Sequence, residues 1–92
     1  MAQPRRQETV DQIERCGVVA VIRLQDPDRL KDVAGALQAG GVTALEVTMT
    51  VPRAIQLIEA IAPSLPDDVV IGAGTILDAE TARAAILAGA RF

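Results

Sequence analysis

Apolar residues along this chain arrive in two alternating rhythms. The first clear element is Val18-Val19-Ala20-Val21-Ile22, an unbroken and mostly β-branched run. Such a run fits a strand buried on both faces, although periodicity alone does not exclude a helix. Ahead of it, Thr9 to Arg15 fits a short amphipathic helix with Val10 and Ile13 on one side, and Gly17 separates the two.

Asp26-Pro27 then supplies a helix start, because Asp caps free amides and Pro suits the first helical position. Leu30, Val33, Ala34 and Leu37 follow at helical spacing, with Arg29, Lys31, Asp32 and Gln38 on the other side. Gly40-Gly41 ends this helix as a left-handed cap would. Ala44 to Thr48 reads as a second strand. Pro52 opens another helix with Ile55, Ile58 and Ile61 facing inward, and Pro63 stops it. The turn-forming Pro66-Asp67-Asp68 leads to a third strand, Val69 to Ala73. Asp78 fits as the cap of a further helix that packs through Ala82, Ala85, Ile86 and Gly89. Ala88-Gly89-Ala90 then repeats the role of Ala39-Gly40-Gly41, and a fourth strand begins at Ala90-Arg91-Phe92.

The order β-α-β-α-β-α specifies a parallel sheet with right-handed crossovers. An eight-stranded barrel and a doubly wound open sheet both fit. A full barrel takes roughly 250 residues, so 92 residues amount to less than half of one. The expected organisation is an N-terminal segment with a short helix over residues 1–16, then part of a single barrel domain over 17–92. A chain this short buries only roughly two thirds of its unfolded surface, so marginal stability without a partner is expected.

Composition agrees with that picture. Half of the residues are apolar but only 1% are aromatic, so Val, Ile, Leu and Ala must build the core, as in parallel sheets covered by alanine-rich helices. The net charge is −3, with no Tyr or Trp; no basic stripe or stacking platform for nucleic acid exists. The Arg5-Arg6 pair is too short to count as a basic tract. Cys16 is the single cysteine, which excludes an internal disulfide and suits a reducing, cytoplasmic setting; beside an apolar strand it is expected to pack as a small hydrophobe. Met1 to Gln7 is polar and unlike a secretory signal, and Val18 to Ile22 is far too short to span a membrane.

The second strand holds the most informative pattern. Side chains alternate along Ala44-Leu45-Glu46-Val47-Thr48-Met49-Thr50, with Leu45, Val47 and Met49 on one face and Glu46, Thr48 and Thr50 on the other. In a parallel barrel the apolar face meets the helices and Glu46 points inward. A carboxylate there is costly unless paired or hydrogen-bonded, which favours a functional role; a half-exposed edge strand with a solvated Glu46 is the competing reading. Gly72-Ala73-Gly74-Thr75 stands at the end of the third strand, where parallel barrels build their active sites. Its glycines allow another group to approach the backbone closely, and Thr75 brings a hydroxyl. It fails as a dinucleotide fingerprint, because position 77 is Leu, and as a phosphate loop, because no Gly-Lys follows. Histidine is absent, which removes His-based triads and most zinc sites. The acidic residues show no metal-loop spacing. Lys31, the only lysine, reads as a solvated charge on a helix.

Four segments together resemble one family. Val-Val-Ala-Val-Ile-Arg (18–23), Ala-Gly-Gly-Val-Thr-Ala-Leu-Glu-Val-Thr (39–48), Gly-Ala-Gly-Thr-Ile-Leu (72–77) and Ala-Gly-Ala-Arg-Phe (88–92) look like successive strands of the 2-keto-3-deoxy-6-phosphogluconate and 4-hydroxy-2-oxoglutarate aldolases. The match runs from Gly17 onward, in order and in spacing. It implies a class I aldolase on a (β/α)8 TIM barrel, of which the first three to four units are present, usually a homotrimer. The implied reaction cleaves a 2-keto-3-deoxy or 4-hydroxy-2-oxo acid to pyruvate and an aldehyde through a Schiff base on a sixth-strand lysine, with no metal or organic cofactor. By the same resemblance Glu46 is the general acid and base, and Thr75 helps to hold the pyruvyl carboxylate.

Two departures bear on activity. The commoner family pattern has an arginine four residues after the glutamate, where this chain has Thr50. A threonine donates one hydrogen bond but forms no charged bidentate clamp; Arg53 is a candidate replacement. Lys31, on its helix, cannot serve as the Schiff-base lysine, so this chain alone is expected to be inactive. The alternative from another class is a non-catalytic truncated barrel protein that assembles through open sheet edges.

Overall fold

A computed structural model describes residues 6–92. Met1 to Arg5 lie outside the described residues, and with them most of the polar opening segment and one member of the Arg5-Arg6 pair. Among the described residues four helices and three strands alternate: α1 (Arg6–Cys16), β1 (Ala20–Ile22), α2 (Pro27–Ala39), β2 (Ala44–Thr48), α3 (Ala54–Ile61) with a 3-10 turn (Ala62–Ser64), β3 (Val70–Gly74) and α4 (Ala79–Ala88). The strands form one parallel sheet in the order β1-β2-β3.

The helix boundaries follow from local chemistry. Asp26 accepts the Asp28 amide at 2.9 Å, with Pro27 as the first residue of α2. At the other end Gly41 turns left-handed at φ 95° and the Val42 amide returns to the Leu37 carbonyl at 2.8 Å, which satisfies a carbonyl the helix leaves open. Asp78 caps α4 through the Thr81 amide at 2.6 Å and the Thr81 hydroxyl at 2.9 Å. These two bonds, the amide first, hold the Asp78 carboxyl below the usual carboxylate range.

The core lies between one face of the sheet and the helices. Leu45 and Val47 of β2 and Ile71 of β3 pack with Leu30 and Ala34 of α2 and with Leu57, Ile58 and Ile61 of α3. Cross-strand rows fix the two faces. Ala20, Leu45 and Ile71 form one row and Ile22, Val47 and Ala73 another, while Val21, Glu46 and Gly72 align on the opposite face.

Several expectations need correction. The first helix is longer than Thr9–Arg15, and it buries Thr9 rather than Val10 or Ile13. β1 keeps only the last three residues of the run 18–22 and is not buried on both faces: Val18 is 55% and Val21 47% exposed. Among the described residues it is an edge strand, with β2 as its one neighbour. α3 starts at Ala54, not Pro52, because Arg53 takes a left-handed conformation at φ 61°; its buried positions are Ala54, Leu57, Ile58 and Ile61. Ile55 is only half-buried; α3 does end ahead of Pro63, which lies in the 3-10 turn that follows. β3 is displaced by one residue from Val69–Ala73. Ile86 does not pack inward and is 58% exposed, since beyond α4 the described residues supply no further layer for it to meet.

The expected fourth strand is not regular either. Arg91 donates its amide to Ile71 at 2.8 Å, and Ala73 donates to the Phe92 carbonyl at 3.0 Å. The chain thus runs along the free edge of β3 without forming a ladder. Arg91 Nη2 also donates to Gln12 Oε1 of α1 at 3.1 Å, while its buried Nε has no partner among the described residues. Among those residues, no helix is long and apolar enough to cross a membrane, and no cluster of His, Cys, Asp or Glu could hold a metal ion.

Candidate active site

Glu46 sits at the centre of β2, between two core residues. Because Leu45 and Val47 are committed to the helix-covered side, pleating turns Glu46 and Thr48 to the other face. Glu46 is half-buried and Thr48 is buried. The Glu46 carboxylate lies directly over Gly74, the last residue of β3: a methyl group built on Gly74 would stand 2.8 Å from Oε1 and 3.3 Å from Oε2. The other glycine of the motif has a different occupant. A methyl group on Gly72 would fall 2.5 Å from the Phe92 ring. Both notches in β3 are therefore filled, one by a carboxylate and one by an aromatic ring, on the face that carries Glu46.

The hydroxyls collect at the carboxyl ends of β2 and β3. Thr48 Oγ1 and Thr50 Oγ1 lie 3.3 Å apart. Thr50 does not extend the inward face of β2: it falls in the turn after the strand and is exposed. Thr75 immediately follows Gly74 and is exposed as well. Arg53 is an exposed residue of the turn before α3. Lys31 is exposed on α2. The structure brings Glu46, Thr48 and Gly74 together and sets Thr50 and Thr75 at the same end of the sheet.

Two participants carried a weaker sequence signal. Thr48 shares the alternation of Glu46, and a polar residue at an inward strand position is its only mark. Phe92 is the sole aromatic of the chain, but its seat over Gly72 depends on cross-strand register, which no local pattern encodes. Chemically, the arrangement presents one carboxylate able to take or give a proton, with neutral hydroxyls at the same end of the sheet.

Cys16 belongs to the opposite end of the sheet. Its sulfur accepts the Thr43 amide at 3.4 Å and lies 3.2 Å from the Val18 carbonyl oxygen. The Thr43 amide is the main cause that lowers the thiol pKa from 9.0 to about 7. Cys16 is thus half-buried and hydrogen-bonded, not a simple apolar filler.

Residues 10–92 match the family model described as KDPG and KHG aldolase. The chain belongs to this aldolase family. It is 41% identical over 75 residues to the 2-dehydro-3-deoxy-phosphogluconate aldolase of Pseudoalteromonas atlantica, covering 82% of this chain and 34% of that protein. The KHG/KDPG aldolase of Escherichia coli is 40% identical over 75 residues, covering 82% of this chain and 35% of the relative. The crystal structure of 2-keto-3-deoxy-6-phospho-gluconate aldolase from Zymomonas mobilis superposes with a TM-score of 0.68 at 36% identity, covering 78% of this chain and 34% of that one. The three parallel strands and their helices correspond to the N-terminal third of the aldolase TIM barrel. The chain spans about a third of the length of these relatives.

Proposed function

We propose that these residues form the first β/α units of a class I aldolase that cleaves a 2-keto-3-deoxy or 4-hydroxy-2-oxo acid, phosphorylated or not, to pyruvate and an aldehyde. The observation that carries this reading is the Glu46 carboxylate, set over Gly74 at the carboxyl-terminal part of the sheet. A lysine on a later strand of the barrel condenses with the 2-oxo group and releases water. As the C3–C4 bond breaks, its electrons move into the iminium to give an enamine. Glu46 accepts the proton of the C4 hydroxyl, which leaves as the aldehyde, and then returns a proton to C3; water hydrolyses the resulting iminium, which releases pyruvate and frees the lysine. Thr75 donates a hydrogen bond to the substrate carboxylate, and Thr50 offers a neutral donor where an arginine is commoner. No metal enters this scheme. The working enzyme is a cytoplasmic homotrimer in this reading.

The test is covalent. Borohydride added to the intact protein with pyruvate should reduce the iminium and add one pyruvyl unit to a lysine, and mass spectrometry would locate it. An intact protein that turns over the substrate but forms no adduct would sink the Schiff-base reading. The 92 residues alone should show no turnover; measurable cleavage by them would contradict the assignment of the nucleophile to a later strand.

A non-catalytic, self-assembling protein is the second reading, and specific observations favour it. Val18 and Val21 are exposed at edge strand β1 and its approach. A cleft of about 390 Å3, lined by Ala73, Ile76, Ala85, Ile86 and Phe92 among others, opens beside β3. A folded assembly of the natural product without any aldol cleavage would favour this alternative.

A further inference from the structure

We infer that Gly74 is a positioning residue for the Glu46 carboxylate, an inference that rests on the aldolase reading above. Three observations lead there. First, Gly74 lacks the positive φ found at Gly17, Gly41 and Gly89, so a left-handed backbone does not account for glycine there. Second, the three atoms nearest to the missing side chain all belong to the acid group. A Cβ on Gly74 would lie 2.8 Å from Glu46 Oε1, 3.0 Å from Cδ and 3.3 Å from Oε2. Third, these atoms are the free end of a flexible side chain, whereas the Gly72 notch is closed by the ring of Phe92.

The consequence is a separation of fold from function at one atom. A methyl group at position 74 meets the carboxylate, and the atoms that have to retreat are the free end of a flexible side chain. That retreat moves the proton-transfer group away from the place it occupies over the end of β3. A general base needs its oxygen within hydrogen-bond reach of the proton it takes, and a misplacement of about 1 Å costs on the order of a hundredfold in rate. Gly74 touches no reacting atom in this reaction; it acts by leaving room for the group that does.

The experiment compares Gly74→Ala, Glu46→Asp and the double variant in the intact enzyme. Gly74→Ala should lower kcat by roughly tenfold to a hundredfold while KM and the melting temperature stay near those of the parent. Aspartate is one methylene shorter and withdraws from the added methyl, so the double variant should lose less than the product of the two single losses. A Gly74→Ala enzyme with parental kcat, or losses that multiply independently, would overturn the positioning role. The Glu46 carboxyl 13C resonance gives a readout that needs no turnover. It should move in Gly74→Ala, and an unmoved resonance would also overturn the role. If instead Glu46→Gln left turnover intact, the aldolase reading of Glu46 would fail, while the resonance would still decide whether Gly74 places the carboxylate.

Discussion

Two glycines receive the same extra methyl group and should respond with opposite signs. Gly89 ends α4 at φ 126°, and a Cβ there would lie 2.6 Å from the Ala62 Cβ on the 3-10 turn. A side chain held in so sparsely populated a backbone region costs about 1–3 kcal/mol. Overpacking against a neighbour adds about 1–3 kcal/mol, and Ala62 has no longer side chain to swing aside. Gly89→Ala should therefore destabilise by about 2–6 kcal/mol. Gly35 is a helical residue in the middle of α2, exposed, with nothing within 4 Å of where an alanine methyl would stand. Alanine there removes the glycine penalty and should stabilise by about 0.5–1 kcal/mol. Urea unfolding followed by helical circular dichroism would measure both variants against the parent. For a domain of this size the thermal midpoint should move by roughly 4–8 °C per kcal/mol, downward for Gly89→Ala and upward for Gly35→Ala. Equal shifts, or a stabilising Gly89→Ala, would refute the reasoning from backbone conformation and clearance.

Two further outcomes follow from burial and hydrogen bonding. Leu30 is fully buried and Leu87 is 71% exposed, so Leu30→Ala should cost about 2–5 kcal/mol and Leu87→Ala at most about 0.5 kcal/mol; comparable unfolding midpoints for the two variants would contradict the placement of the core. The Cys16 thiol, held at about 7 chiefly by the Thr43 amide, should react with iodoacetamide at a rate that rises through neutral pH, well below an ordinary cysteine. Because its folded pKa lies below the unfolded value, the thiolate contributes stability above the unfolded pKa that is lost as pH falls through about 7. An alkylation midpoint near the ordinary value of 9.0 would refute the Thr43 bond.

The elements that sequence made legible are those specified by their own residues. Asp26-Pro27 and Gly40-Gly41 bracket α2, and the cap at Asp78 starts α4, because each is a contact over a few residues. Alternation along β2 separates Leu45 and Val47 from Glu46 for the same reason. The misses depend on partners. Val18 and Val19 have strand chemistry, but among the described residues β1 has a single neighbour and pairs only from Ala20. Proline at 52 satisfies the preference for a first helical turn, yet the Val51 amide bonds to the Thr48 carbonyl at 3.1 Å and the turn continues through a left-handed Arg53. Ile86 has helical spacing but no layer to cover it among the described residues. In the candidate site, the alternation marks Glu46, whereas its seat over Gly74 and the ring of Phe92 over Gly72 arise from strand register across distant residues.

The central claim is that Glu46 carries protons in an aldol cleavage, and a single substitution tests it most directly. Glu46→Gln in the intact enzyme keeps the side-chain shape and removes the titratable proton. Its kcat for cleavage of the 2-oxo acid should fall by about a hundredfold to ten-thousandfold, while borohydride still traps pyruvate on the lysine. Turnover within a few-fold of the parent would contradict the claim.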